Sequence, residues 1–291
     1  MASSAVEASP RRGRSFFSRV LGHRTLRVGL VLLALVLLAT LAGQLFTPQD
    51  PVAMNFAATF QPPSAAHLLG TDNFGRDVFS RILAGAWVSV RVALIAVGLS
   101  ALVGVTLGTA AGYYRGWVDE VLMRLMDVLM AFPALLLAIA VMAILGRGVE
   151  NAMIAIAVVY TPIFARITRG SILTVREEEY LTAARALGQT DLRLMWRHVL
   201  PNALGPIIVQ TSLSLAFAVL AESALSFFGL GTQPPTPSWG LMLSEGRSFL
   251  LQAPWLGLFP GVAIMLTVLS FNLVGDGLRD LLDPRMRQRL R

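Results

Sequence analysis

Six apolar stretches, 28–46, 88–113, 121–145, 152–167, 204–230 and 255–274, follow one another along this 291-residue chain, separated by polar intervals. A helix of about 20 residues, rising about 1.5 Å per residue, crosses the roughly 30 Å hydrocarbon core of a bilayer. Lipid offers no hydrogen bonds, so each crossing segment must satisfy its own backbone, and a single apolar run does so as a helix. The pattern predicts an all-α membrane protein with six transmembrane helices. Composition agrees: 14% of residues are charged, against about 25% in a soluble domain.

All 24 basic residues are arginine. Without lysine the chain cannot carry a standard Walker A phosphate loop, and without cysteine it forms neither disulfides nor thiolate metal sites. A net charge of +7 would suggest nucleic acid in a soluble protein, but its distribution points to a membrane. Arg11, Arg12, Arg14, Arg19, Arg24 and Arg27 precede the first run. Arg166, Arg169, Arg176, Arg185, Arg193 and Arg197 cluster between the fourth and fifth, and Arg279, Arg285, Arg287, Arg289 and Arg291 end the chain. With six crossings all three groups fall on one side, and the positive-inside bias predicts that both termini and the central loop are cytoplasmic. On this reading 1–27 is a cytoplasmic tail and 28–46 the first transmembrane helix, too long for the apolar core of a signal peptide. Residues 47–87 are an external segment with an interfacial helix. A five-helix core, 88–278, contains a coupling loop at 169–203, and 279–291 is the second cytoplasmic tail.

The central loop has its own pattern. Tyr180, Leu181, Ala184 and Leu187, then Leu192, Met195, Trp196 and Val199, recur at three- and four-residue intervals, which predicts two short amphipathic helices broken at Gly188. Asp191 sits where the second would be capped. Ala183 and Ala184, nearly without side chains, would let another protein's surface approach the backbone closely.

In the second span Ser100, Gly104, Gly108 and Gly112 fall four apart, a small-residue stripe that lets helices pack closely in lipid. Pro133 inside the third span predicts a kink near Leu129, and Asp127 beside it is expected to pair with Arg124 or a neighbouring subunit. Gln210, Ser214 and Glu222 share one face of the fifth span. Such a face lines a water-accessible path or meets another subunit more readily than it faces lipid tails. Outside the membrane, Thr71 or Asp72 is placed to cap a short helix beginning near Asn73, with Val78, Phe79 and Ile82 on its apolar side. It would serve as a lead-in to the second span or as a contact for a delivery protein.

No catalytic grammar is visible. His23, His67 and His198 fall on the tail, the external segment and the central loop, too far apart in this topology to share a metal. There is neither a His-Glu-x-x-His helix nor a Gly-x-Ser-x-Gly elbow, and the Gly-x-Gly pairs at Gly146, Gly229 and Gly275 lack the third glycine of a dinucleotide fingerprint.

The run Thr182-Ala183-Ala184, then Gly188, then Leu200-Pro201 resembles the EAA loop of ABC-importer permeases. AARALGQTDLRLMWRHVLPN, HLLGTDNFGRDVFSRIL, LSFFGLGTQPPTPSWGLML and FNLVGDGLRDLLDPR are similar to the dipeptide, oligopeptide and nickel permease branch. Thr182 departs from the pattern, standing where the family has glutamate. The resemblance implies a type I ABC importer permease fold with a cytoplasmic helix-turn-helix coupling loop, in a bacterial inner membrane. It also implies a second related permease subunit, two ABC ATPase subunits that use the ATP, and an external substrate-binding protein. This chain would bind no cofactor and catalyse nothing. Ala183 and Ala184 would allow close approach of the ATPase, Gly188 would make the turn, and Leu200-Pro201 would fix the loop to the fifth span. The cargo implied is a di- or oligopeptide, with nickel or glutathione as alternatives. An ion-coupled secondary transporter is the alternative of a different class, in which Asp127 and Glu222 would be the carboxylates of interest.

Overall fold

The computed structural model describes residues 23–282. Ten α-helices account for most of these residues: α1 (Arg24–Leu45), α2 (Val78–Tyr114), α3 (Gly116–Met130), α4 (Ala134–Leu145), α5 (Val149–Arg176), α6 (Glu179–Ala186), α7 (Asp191–Leu194), α8 (Leu200–Phe227), α9 (Trp239–Gly246) and α10 (Trp255–Leu282). Among the described residues the β pairing is one isolated bridge, Thr71 with Asp77. Five helical stretches are long and apolar enough to cross a membrane: α1, α2, α5, the continuous run of α7 into α8, and α10. A sixth crossing exists if α3 and α4 are counted as one broken span. The predicted tails lie largely outside the described residues, at 1–22 and 283–291.

The bundle is built on close contact between α2 and α5. A Cβ added at Gly104 would lie 2.6 Å from the Thr161 carbonyl oxygen, and one at Gly108 would lie 2.3 Å from that of Ala165. The stripe of small residues thus lets two helix backbones meet where lipid offers no hydrophobic drive to press them together. Ala93, Ala96 and Val97 of α2 join Ile156 and Phe164 of α5 and Val219 of α8 in the same buried core. Helix α1 packs on the outside of α10, where Gly29 meets Leu273 and Gly277 meets Leu26.

Two expectations are corrected. The third span is broken, not kinked: α3 ends at Met130, Pro133 precedes the first residue of α4, and the two axes differ by 94°. Proline is tolerated at a helix start, where its missing N–H removes no bond, so the chain begins a new helix instead of straining the old one. The separate interfacial helix near Asn73 is also absent. The Asp72 carboxylate accepts bonds from the backbone N–H groups of Phe74 (2.8 Å) and Arg76 (3.0 Å), winding 72–76 into a turn, and Gly75 takes a left-handed φ of +70°. The helix begins only at Val78, where the Asp77 side chain accepts from the Ser80 N–H at 2.8 Å. Val78, Phe79 and Ile82 therefore belong to the first turns of the second span.

Candidate functional site

The interval 177–203 folds as a compact hook at one end of the bundle. After Ala186 the N–H of Gly188 bonds to the Arg185 carbonyl at 2.9 Å, and that of Gln189 to the Ala184 carbonyl at 3.3 Å. This paired closure ends a helix by means of one residue in the left-handed region, and Gly188 supplies it with φ +79°. The turn is at Gly188, as the sequence predicts. The second helix differs. Thr190 occupies the cap position, and α7 runs through a π turn, Met195–Val199, directly into α8. The N–H of Leu200 reaches back to the Met195 carbonyl. The wide turn accommodates Pro201, which has no N–H to donate and whose ring crowds the preceding turn. What reads as a short second helix is therefore the leading end of the fifth span.

The hook is anchored by a small core of its own. Leu181, Leu194, Met195, Val199 and Ala203 close on Tyr113 of α2 and Ile172 of α5. Tyr113 is the hub. Its hydroxyl donates to the Asp191 carboxylate at 2.5 Å and accepts from the Arg185 guanidinium at 3.3 Å, while its carbonyl accepts from Arg176 at 2.6 Å. Both guanidinium carbons lie 5.6 Å from its ring centre, within range of cation–π attraction. The bond to the Tyr113 hydroxyl holds the Arg185 pKa above its ordinary, already high value. Asp191 thus binds Tyr113 and does not cap its helix. The sequence alone does not single out Tyr113, because a tyrosine at the end of an apolar span is also an ordinary interface residue.

Thr182 and Ala183 face outward, whereas Ala184 packs against the hook's core. Close approach from outside is therefore possible at Ala183, and Ala184 serves the approach of α6 to its own chain. Leu200 is partly buried against the main core, and Pro201 is exposed. Leu187, 84% exposed, and Leu192 and Trp196 leave large apolar side chains uncovered on the hook, and Arg193 and Arg197 are exposed in the same segment.

The polar face of α8 is not an open wall. Gln210 keeps part of its surface and donates to the Ser214 hydroxyl at 3.0 Å, but Ser214 is buried. Glu222 is 1% exposed and accepts from Ser226 at 2.8 Å. Ser214 and the Glu222 Oε1 oxygen are bonded within the chain, whereas the buried Glu222 Oε2 has no partner among the described residues. Asp127 pairs with Arg166 of α5, not with Arg124.

At the opposite end, four charged side chains form a network that sequence spacing did not reveal. Arg76 meets Asp72 at 2.6 Å and Glu245 of α9 at 2.9 Å; Arg81, 1% exposed, meets the same Glu245 oxygen at 2.7 Å. Glu245 lies more than 160 residues away from both arginines, and no local pattern announces such a partner. The network ties the turn at 72–76 and the start of α2 to α9.

A bundle of helices long and apolar enough to cross a membrane, with the hook on one end and the charge network on the other, defines a multi-helix membrane protein. Residues 104–288 match the family described as binding-protein-dependent transport system inner membrane component, and residues 12–63 match the N-terminal transmembrane domain of oligopeptide transport permease C. The chain belongs to this family, as a permease subunit of an ABC importer. It is 47% identical over 274 residues to the dipeptide transport system permease protein DppC of Alkalihalophilus pseudofirmus, covering 94% of this chain and 90% of the relative. A putative peptide transport system permease protein of Brucella abortus is 49% identical over 269 residues, covering 92% and 90%. The glutathione transport system permease protein GsiD of Pectobacterium atrosepticum is 44% identical over 275 residues, covering 94% and 91%. In fold, the chain is similar to a chain of the inward-facing MetNI methionine ABC transporter, with a TM-score of 0.58, 16% identity, and coverage of 69% of this chain and 96% of that one. Family membership makes this a transport subunit, not an enzyme, with the type I importer permease fold.

Proposed function

We propose that this permease carries peptides inward across the bacterial cytoplasmic membrane, and that the hook of α6 and α7 docks a cytoplasmic ATPase. The carrying observation is the exposure of Leu187, Leu192 and Trp196 on a hook whose buried residues close on α2 and α5. Apolar side chains exposed on an anchored mount are what a partner's groove can seat, and the mount's motion would be passed to the spans as a rigid body. In this reading both termini are cytoplasmic, two ATPase subunits hydrolyse the ATP, a related permease completes the path, and an external binding protein delivers cargo to the charge-stapled end. Thr182, Ala183 and Gly188 present the docking surface; Ala184, Leu200 and Pro201 hold it to the spans. Gln210 is the residue of the α8 face that contributes to the path, supported from behind by Ser214, with Glu222 fixing the same helix internally.

Di- or oligopeptides are the cargo because relatives at 47% and 49% identity are named for dipeptide and peptide transport. A second reading, glutathione, follows from the 44% identity to GsiD. Reconstitution of the chain with its co-purifying subunits in liposomes tests both. ATP-dependent uptake of labelled peptides supports the first, preferential uptake of glutathione the second, and ATP-independent uptake by the chain alone would overturn the importer reading.

A further inference from the structure

Helix α3 is unusual in the bundle: of its 15 residues Met126 alone is buried. Apolar packing therefore does little to fix it. Besides backbone packing, two ion pairs tie it to α5. Arg169 grips Asp119 through both carboxylate oxygens, at 2.5 and 2.6 Å, and Arg166, one turn earlier on α5, pairs with Asp127. Between the helices lies a cavity of about 520 Å³ at the hook end, lined by Asp119, Glu120, Arg124, Asp127, Arg166 and Arg169. Neither pair is sealed from solvent: Asp119 is 17% and Asp127 50% exposed.

Helix α5 connects both ends of this arrangement. Eleven of its residues are buried, largely against α2 and α8, and it ends at Arg176, which bonds to Tyr113 at the centre of the hook's anchor. Motion of the hook must therefore move α5. Beyond α3, a 94° break at 131–133 separates it from α4, so no continuous helix ties the two halves together.

We propose that Asp119–Arg169 and Asp127–Arg166 form a clasp that positions the broken span, closing and opening the polar chamber at the inner mouth as the hook moves. The chemistry suits a reversible device. Part-exposed ion pairs are held weakly, so they can exchange protein partners for water or for the charged termini of a passing peptide. A fixed tie would have been built from buried apolar side chains, and α3 has almost none. The proposal rests on the importer reading, since only a cycling ATPase would drive the hook.

The test uses the full complex, with uptake of a labelled dipeptide and ATP hydrolysis measured together. Asp119→Arg and Arg169→Asp, each alone, are expected to lower peptide taken up per ATP hydrolysed by about tenfold, in the range of a lost coupling between sites. The double swap is expected to recover most of that ratio. Because the chain has no cysteine, Asp127→Cys with Arg166→Cys provides a second route that leaves the inner pair in place. Bridging the two thiols with a reducible bifunctional reagent should stop uptake, and reduction should restore it; the native chain exposed to the reagent controls for thiols on other subunits. The proposal is overturned if the single variants keep the native ratio, if the double swap inserts and binds ATPase yet is no better than either single variant, or if the bridged complex transports at the unbridged rate. Failure of the native complex to take up peptide with ATP would instead overturn the importer reading itself.

Discussion

The hydroxyl of Tyr113, at the last turn of α2, donates a 2.5 Å hydrogen bond to Asp191 at the start of α7, joining residues 78 positions apart. This bond makes the hook an extension of the transmembrane bundle. Tyr113→Phe keeps the ring and its contacts with Arg176 and Arg185 but removes the hydroxyl. A hydrogen bond to a charged group contributes about 1.5–3 kcal/mol. The variant is expected to insert normally, to expose the hook to limited proteolysis, and to hydrolyse ATP with less transport.

At Gly188 the constraint is conformation, not space. Its φ is +79°, and a Cβ there would meet nothing within 4 Å. Left-handed backbone costs an ordinary residue roughly 1–2 kcal/mol and is best tolerated by asparagine. ATPase retention on purification should therefore fall in the order Gly, Asn, Ala, Val at this position. An order following side-chain volume would contradict the account.

The α2–α5 contact behaves in the opposite way. At Gly108 an added Cβ would sit 2.3 Å from the Ala165 carbonyl oxygen, so even alanine must push two backbones apart. Overpacking of this kind costs about 1–3 kcal/mol. Gly108→Ala is expected to lower the detergent melting temperature, while Gly98→Ala on the same helix, with nothing within 4 Å, leaves it unchanged.

Arg81 is the most enclosed cation of the network around Glu245. Breaking a buried pair by removing one partner costs about 3–5 kcal/mol, because the abandoned charge stays buried. Arg81→Met leaves Glu245 with Arg76 alone, and the segment 47–77 of the detergent-purified chain should become sensitive to added protease. Arg81→Met combined with Glu245→Gln should be less damaged than Arg81→Met, since no surplus charge remains.

These contrasts mark what a reader of the sequence can reach. The small-residue stripe from Ser100 to Gly112, the apolar runs and the turn at Gly188 are legible because each is a local pattern with one physical meaning. Pro133 is legible as a disruption, but whether a helix bends or breaks depends on what packs around Ala131 and Phe132, which spacing does not encode. The short helix expected near Asn73 fails because Asp72 spends its carboxylate on the turn's N–H groups and on Arg76. Tyr113, Glu245 and the Asp127–Arg166 pair are invisible for a common reason: their partners are distant in sequence. Ser214 and Glu222 show the converse, since residues on the polar face of a span can be buried within their own chain.

Site-directed cross-linking tests the central claim, that the hook is the ATPase docking site, most directly. The cysteine-free chain permits one thiol at a time, at Leu187→Cys on the hook or at Leu251→Cys, fully exposed before α10. In membranes holding the whole complex, the account predicts that the thiol at 187 cross-links to an ATPase subunit and the thiol at 251 does not. An ATPase cross-linked at 251, or none at 187 while the complex still transports, would contradict it.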